Sequence, residues 1–106
     1  MGRTSKRKLM SSRLSSLTAY LLQLQYQPKR KVGELKLAIK RRREEIKVLL
    51  EENPNLKKEI EKSFEGAYVV AIVMVTWGTG ISEADLPSTC PFDLQTALDN
   101  KFFPKT

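Results

Sequence analysis

The sequence predicts an all-α fold, an antiparallel arrangement of three helices followed by an irregular tail with one short helix. The prediction rests on two segments in which apolar residues recur every three or four positions. The first series is Met10, Leu14, Leu17, Leu21 and Leu24, and the second is Leu35, Ile39, Ile46 and Leu49. This spacing places apolar side chains along one helix face, which must pack against other apolar surface in water.

The first helix is predicted over about residues 4–27, because Pro28 disfavours helical backbone in the residue before it. The second begins near residues 32–34 and runs to Glu52. Asn53-Pro54-Asn55 interrupts the chain and restarts it, since Asn is a good N-cap and Pro fits the first helical position. Arg42 stands where the second apolar series expects another apolar residue, so we predict that it pairs with a carboxylate or extends past its neighbours.

The third helix is predicted over residues 55–77, with Gly78-Thr79-Gly80 as its C-terminal stop. Its second half, residues 67–77, is apolar and rich in β-branched residues, which by intrinsic propensity favours a strand. No other segment reads as a strand that could pair with it, so we predict a buried helix. The predicted core is Leu14, Leu17, Leu21, Leu24, Leu35, Ile39, Ile46, Leu49, Leu56, Ile60, Phe64 and Tyr68.

The chain is predicted to be one domain, with a three-helix core over residues 1–80 and a tail over 81–106 that packs on it. Pro87 and Pro91 exclude regular structure around them. Asp93 or its neighbour is expected to cap a short helix that extends through Asp99. The tail residues expected to cover the core are Phe92, Leu94, Leu98, Phe102 and Phe103.

The net charge of +7 is unevenly distributed, at +11 over residues 1–50 and −4 over residues 51–106. A basic half can attract nucleic acid, an anionic membrane surface or an acidic protein. It can equally be a solvated face, or pair with the acidic half inside the fold. If it binds nucleic acid or an acidic partner, the candidate contacts are Lys29, Arg30, Lys31, Lys36, Lys40, Arg41 and Arg43.

The apolar half of the third helix predicts an interface, because consecutive helical residues diverge by about 100° and cannot all face one core. A second copy of the chain, or a second helical polypeptide, is expected to cover it. The candidate interface residues are Val69, Val70, Ile72, Val73, Met74, Val75 and Trp77. A membrane-associated helix at residues 67–81 is a weaker alternative, because a span needs about 20 predominantly apolar residues and glycines interrupt this segment.

Catalytic chemistry finds little support in the residues. The chain has no histidine, the commonest general base and metal ligand. Its one cysteine, Cys90, has no histidine to activate it and cannot form an intramolecular disulfide. We expect a non-enzymatic, cytoplasmic protein with no cofactor, no metal and no small-molecule substrate.

Several segments resemble the bacterial family "domain of unknown function 29", which is abundant in cyanobacteria. They are residues 1–7 (MGRTSKR), 21–28 (LLQLQYQP), 39–46 (IKRRREEI), 53–57 (NPNLK), 67–68 (AY), 80–81 (GI), 86–92 (LPSTCPF) and 102–104 (FFP). The resemblance implies an all-helical fold and no established function. Family members usually carry a further N-terminal helical stretch, after which this chain is expected to begin. Their third helix has a polar face, whereas residues 69–75 are apolar here.

Taken with the resemblance, the sequence predicts a small helical protein-interaction module that self-associates. The alternative is a sequence-neutral nucleic-acid-binding protein that uses the basic face of the second helix, where Lys and Arg would neutralise phosphates. Against this alternative, no groove-reading motif or base-stacking platform is visible in the sequence.

Overall fold

The computed structural model describes residues 2–26 and 31–104, and within these residues it is helical with no strand. Three long helices, α1 (Gly2–Tyr26), α2 (Val32–Glu52) and α3 (Ile60–Thr79), are followed by a short helix, α4 (Leu94–Leu98). Two 3-10 turns, Pro54–Lys58 and Glu83–Asp85, lie before and after α3. The predicted all-α fold is confirmed.

Consecutive long helices run antiparallel, and α1 lies in the middle with α2 and α3 packed along it. Arg13 of α1 pairs with Glu45 of α2 at 3.2 Å. Further along α1, Tyr20 lies beside Arg42, one turn earlier in α2. Near the start of α1, Arg7 pairs with Glu59, the residue before α3, at 3.0 Å. Helices α1 and α3 therefore run parallel to each other.

The central position of α1 explains why it buries more than one stripe. All twelve predicted core residues are buried, which confirms that prediction. Beyond the predicted series, α1 also buries Ser15, Thr18, Ala19 and Leu22. The Ser15 hydroxyl donates to the Ser11 carbonyl and that of Thr18 to the Leu14 carbonyl, each at 2.9 Å, so neither hydroxyl is buried without a partner.

The predicted third helix is wrong at its start. Residues 54–58 form a 3-10 turn, in which the Leu56 amide donates to the Asn53 carbonyl at 2.9 Å and the Glu59 amide to the Leu56 carbonyl at 3.0 Å. Glu59 then departs from α-helical backbone, with φ −112° and ψ −7°, so the α-helix begins only at Ile60. Its end is as predicted, since Gly80 caps it at φ 80°, a left-handed conformation that glycine adopts without steric cost.

The tail packs on the three helices and contributes Leu86, Phe92 and Ala97 to the same core. The Asp93 carboxylate accepts a hydrogen bond from the Thr96 amide at 2.7 Å and caps α4, as the sequence predicted. Phe92 and Phe102 meet edge to face with ring centroids 5.8 Å apart. The remaining predicted cover residues, Leu94, Leu98, Phe102 and Phe103, are half-buried against the core.

Candidate interaction surface

The outer face of α3 carries a continuous row of exposed apolar side chains, which we call the outer stripe. Its members are Val69, Val70, Val73, Met74 and Trp77. Val69 is 69% and Trp77 86% exposed. The same helix buries Ile60, Phe64, Ala67, Tyr68, Ala71 and Val75 on its opposite face. The apolar segment 67–77 is therefore a helix, as predicted, but only one of its faces is buried.

One of the seven predicted interface residues, Val75, belongs to the inner side instead, and Ile72 lies between the inner and outer sides. Val75 is fully buried and Ile72 is half-buried against the core. Val75 follows Ala71 by four positions and therefore lies on the core-facing row, where it packs towards α1. The structure thus removes Val75 from the predicted set, leaving the five residues of the outer stripe, with Ile72 at the edge of the stripe.

Open grooves flank the outer stripe on both sides. One, of about 770 Å³, lies between α3 and residues 83–88 and is lined by Tyr68, Val69, Ile72 and Val73 with Leu86 and Pro87 opposite. The other, of about 430 Å³, lies between the parallel helices α1 and α3. Its lining combines small residues with charged ones, namely Ser11, Ser15, Ser63, Gly66, Ala67, Val70, Arg7, Glu59 and Lys62. The apolar surface therefore extends beyond the stripe on the side of the larger groove, whereas the smaller groove is mainly polar.

Tyr68 holds the wall of the larger groove in place. Its hydroxyl donates a hydrogen bond of 2.6 Å to the Pro87 carbonyl, joining α3 to the tail. Burial raises the pKa of the Tyr68 phenol to about 12, with smaller contributions from Cys90 and Tyr26. The phenol is therefore protonated, and can donate this bond, throughout the neutral range.

The fold separates two members of the predicted basic cluster, Arg41 and Arg43, from Lys36 and Lys40. Lys31, Lys36, Lys40 and Arg41 are exposed, while Lys29 and Arg30 lie outside the described residues. Arg41 follows Lys40 directly and so points about 100° away from it around α2. Arg43 is only 3% exposed, which removes it from any surface that could reach a phosphate. Its predicted role as a nucleic-acid contact is wrong in this conformation.

Arg43 anchors the tail to α2. Its Nε donates to the Ala97 carbonyl and its Nη2 to the Phe102 carbonyl, both at 2.8 Å. The guanidinium also lies 5.3 Å from the centre of the Phe103 ring, within range of a cation–π interaction. Burial lowers the pKa of Arg43, and the nearby Asp99 carboxylate opposes that shift. An arginine remains charged under ordinary conditions, so these are charge-assisted bonds.

The spacing of apolar residues in α2 predicts an arginine within the apolar series, but the prediction assigns this place to Arg42 and not to Arg43. Arg42 is the residue predicted to interrupt the apolar series. Arg43, however, lies four positions after Ile39 and three before Ile46, so it fits the spacing of that series equally well. Arg42 is half-buried and pairs with Glu45 at 2.7 Å, which confirms the predicted carboxylate partner.

Features that could support other chemistry are sparse in residues 2–26 and 31–104. There, no three His, Cys, Asp or Glu side chains lie close enough to share a metal ion. Cys90 is half-buried, its thiol donates to the Phe92 carbonyl at 3.2 Å, and burial raises its pKa, which disfavours the reactive thiolate. No helix in the described part combines the length and hydropathy that crossing a membrane requires.

The chain belongs to the family described as domain of unknown function DUF29, whose model matches residues 1–103. The match extends over all three long helices and the tail, so it includes the helices that carry the outer stripe and the Arg43 anchor. No curated protein and no solved structure matches the chain.

Proposed function

We propose that this chain is a small, non-catalytic, helical interaction module that associates with a second copy of itself through the outer stripe of α3. The observation that carries the proposal is Trp77, 86% exposed on a regular helix beside four exposed aliphatic side chains. Tryptophan is enriched at the centres of protein interfaces, where its large area is removed from water. Because of its single free cysteine we also propose a cytoplasmic location.

The chemistry of the stripe favours an apolar helical partner. No charged residue occurs between Glu65 and Glu83, so the stripe has no charged side chain that could pair with a charged group of a partner. An apolar row of this length on one small domain is a liability unless something covers it. A second copy presents the same row, and a two-fold pair buries both rows at once in a closed assembly. We therefore expect a dimer rather than an open polymer.

The test is the concentration dependence of the molecular mass, measured by sedimentation equilibrium or light scattering. The variant replaces Val70 and Val73 with Gln, which has a higher helix propensity than Val and so leaves α3 intact. We expect the wild type to dimerise in the micromolar range and the variant to dimerise roughly tenfold or more weakly, because both residues lie in the middle of the stripe.

The matched control is Leu37→Gln, which removes an exposed apolar side chain from α2, away from the stripe. It is expected to dimerise like the wild type. A wild type that stays monomeric, or a stripe variant that dimerises as tightly as the control, would contradict the proposal. In the first case a different helical polypeptide becomes the better candidate for covering the stripe.

A further inference from the structure

Resting on the proposed self-association, we infer that the two α3 helices pair antiparallel, with Trp77 of each copy seated over Gly66 of the other. The inference concerns the arrangement of the two copies rather than the existence of the dimer. It follows from three features of α3: the spacing of the residues on its outer face, the contrast in size between its two ends, and the groove beside Gly66.

The outer face of α3 has a seam with the spacing of a coiled coil. Gly66, Val70, Val73 and Trp77 follow one another at intervals of four, three and four residues. Together with Val69 and Met74, which flank the seam on either side, they fall within about 140° of the helix circumference at 100° per residue. Such a seam can face the same seam on a second helix.

An antiparallel pair centred between Ala71 and Ile72 matches this seam to itself. At that register Val70 faces Val73 of the second copy, and Gly66 faces Trp77 of the second copy. The two-fold axis repeats both layers, so each copy supplies one tryptophan and one glycine. When two copies of the seam run in opposite directions, the small Gly66 of each copy therefore faces the large Trp77 of the other.

The space at Gly66 suits an indole. A side chain added at Gly66 would meet no atom within 4 Å, so the surface there is open. Beside it lies the groove of about 430 Å³ between α1 and α3, where Ser11, Ser15, Ser63 and Ala67 leave room and the charged Arg7, Glu59 and Lys62 complete the lining. Trp77 of the second copy would bury its ring in this groove, and its N–H would lie near serine hydroxyls that can accept a hydrogen bond.

A parallel pair would use the same seam less well. It would place Trp77 against Trp77 at one end and Gly66 against Gly66 at the other, leaving the α1/α3 groove unfilled. It would also align the two helix dipoles, whereas an antiparallel pair opposes them. Both effects favour the antiparallel register.

The first experiment fills the space that Trp77 is inferred to occupy. Gly66→Leu should weaken the dimer roughly tenfold or more, because the new side chain stands where the indole of the second copy would lie. Gly66→Ala is the matched control: it gives the same gain in helix propensity with one methyl group, and it should change the dimer little. In a parallel pair Gly66→Leu would instead add a Leu–Leu contact and leave the dimer as tight or tighter, which would overturn the inference.

The second experiment measures orientation directly. A spin label attached to the variant Glu61→Cys, in a Cys90→Ser background, lies outside the seam at an exposed position of α3. In the antiparallel register the two labels are separated along the helix axis by the length of 21 helical residues, which is about 31 Å. In a parallel pair they lie at the same height, no more than roughly 20 Å apart. A distance in the shorter range would overturn the inference.

The two proposals fail separately. A wild type that remains monomeric removes both. A dimer that is weakened by the Val70 and Val73 changes, but tolerates Gly66→Leu or gives the short label distance, retains the proposed function and rejects the antiparallel register.

Discussion

At the scale of the residue, burial changes what a side chain can do. Tyr68 is 7% exposed and bonds to the Pro87 carbonyl, so its neutral form is favoured in the folded state. Trp77, nine positions later on the same helix, is 86% exposed and has its whole ring open to a partner. The difference arises from their positions around the helix axis, since both are large aromatic residues.

The raised pKa of Tyr68 predicts that the protein loses stability at high pH. The pKa of this phenol rises from an ordinary value of 10.0 to about 12 on folding. Below pH 10 the phenol is protonated in both states and the stabilisation is complete. Between pH 10 and 12 only the unfolded state releases the proton, so the free energy of unfolding should fall by about 2–3 kcal/mol across this window.

Chemical denaturation of the wild type and Tyr68→Phe at several pH values checks this. At neutral pH the free energy of unfolding of the variant should be about 1 kcal/mol lower than that of the wild type, because the Pro87 carbonyl loses its hydrogen-bond donor. The free energy of unfolding of the variant should also decline less steeply above pH 10. Parallel curves for the two proteins from pH 10 to 12 would contradict the expected contribution of Tyr68.

At the scale of the element, the tail is held to α2 through one buried side chain. Arg43 reaches two carbonyls, that of Ala97 within α4 and that of Phe102, four residues after the end of α4. Its guanidinium and the Lys36 ammonium both lie close to the Phe103 ring, at 5.3 and 5.4 Å. The end of the tail therefore depends on polar contacts as well as on the burial of Phe92 and Ala97.

Arg43→Ala should lower the free energy of unfolding by about 2–4 kcal/mol, because one buried and one partly buried carbonyl lose a charged donor. Lys40→Ala, three positions earlier on the exposed side, should change it by less than about 0.5 kcal/mol. Hydrogen exchange should show faster exchange of the amides of residues 97–102 in the Arg43 variant alone. If the two variants were equally stable, the anchoring role of Arg43 would be wrong.

At the scale of the whole molecule, α1 organises the fold. Its nine buried residues contact α2 on one side and α3 on the other, so the three helices share one core. In the described part of the chain, the exposed pair Arg7–Glu59 joins the basic and acidic halves. Most of the basic charge remains on the surface, where it is solvated.

This charge distribution predicts weak nucleic-acid binding. Once Arg43 is buried, α2 presents Lys36 and Lys40 on one side and Arg41 on another, too few aligned charges to neutralise a run of phosphates. Filter binding of a DNA duplex at two salt concentrations should give weak affinity. Reversal of the charge at Lys36, Lys40 and Arg41 should change that affinity little. Tight binding that falls steeply with salt and disappears in the variant would instead support the nucleic-acid alternative.

The spacing of apolar residues in the sequence is sufficient to predict the helices and the faces that they bury. The spacing of Leu14, Leu17 and Leu21 identifies a buried face because helical periodicity is local and does not depend on what packs against it. The same holds for Gly80 at the end of α3 and for Asp93 at the start of α4, where the chemistry of a cap is contained within a few residues.

The spatial arrangement was needed wherever burial depends on a distant element. Arg42 and Arg43 are equivalent in sequence, and only the tail, more than fifty residues later, makes Arg43 the buried one. Val75 and Val73 are both apolar residues on α3, and the position of α1 determines which of them faces inward. The groove beside Gly66 lies between α1 and α3, and no local pattern of residues encodes that these two helices pack side by side.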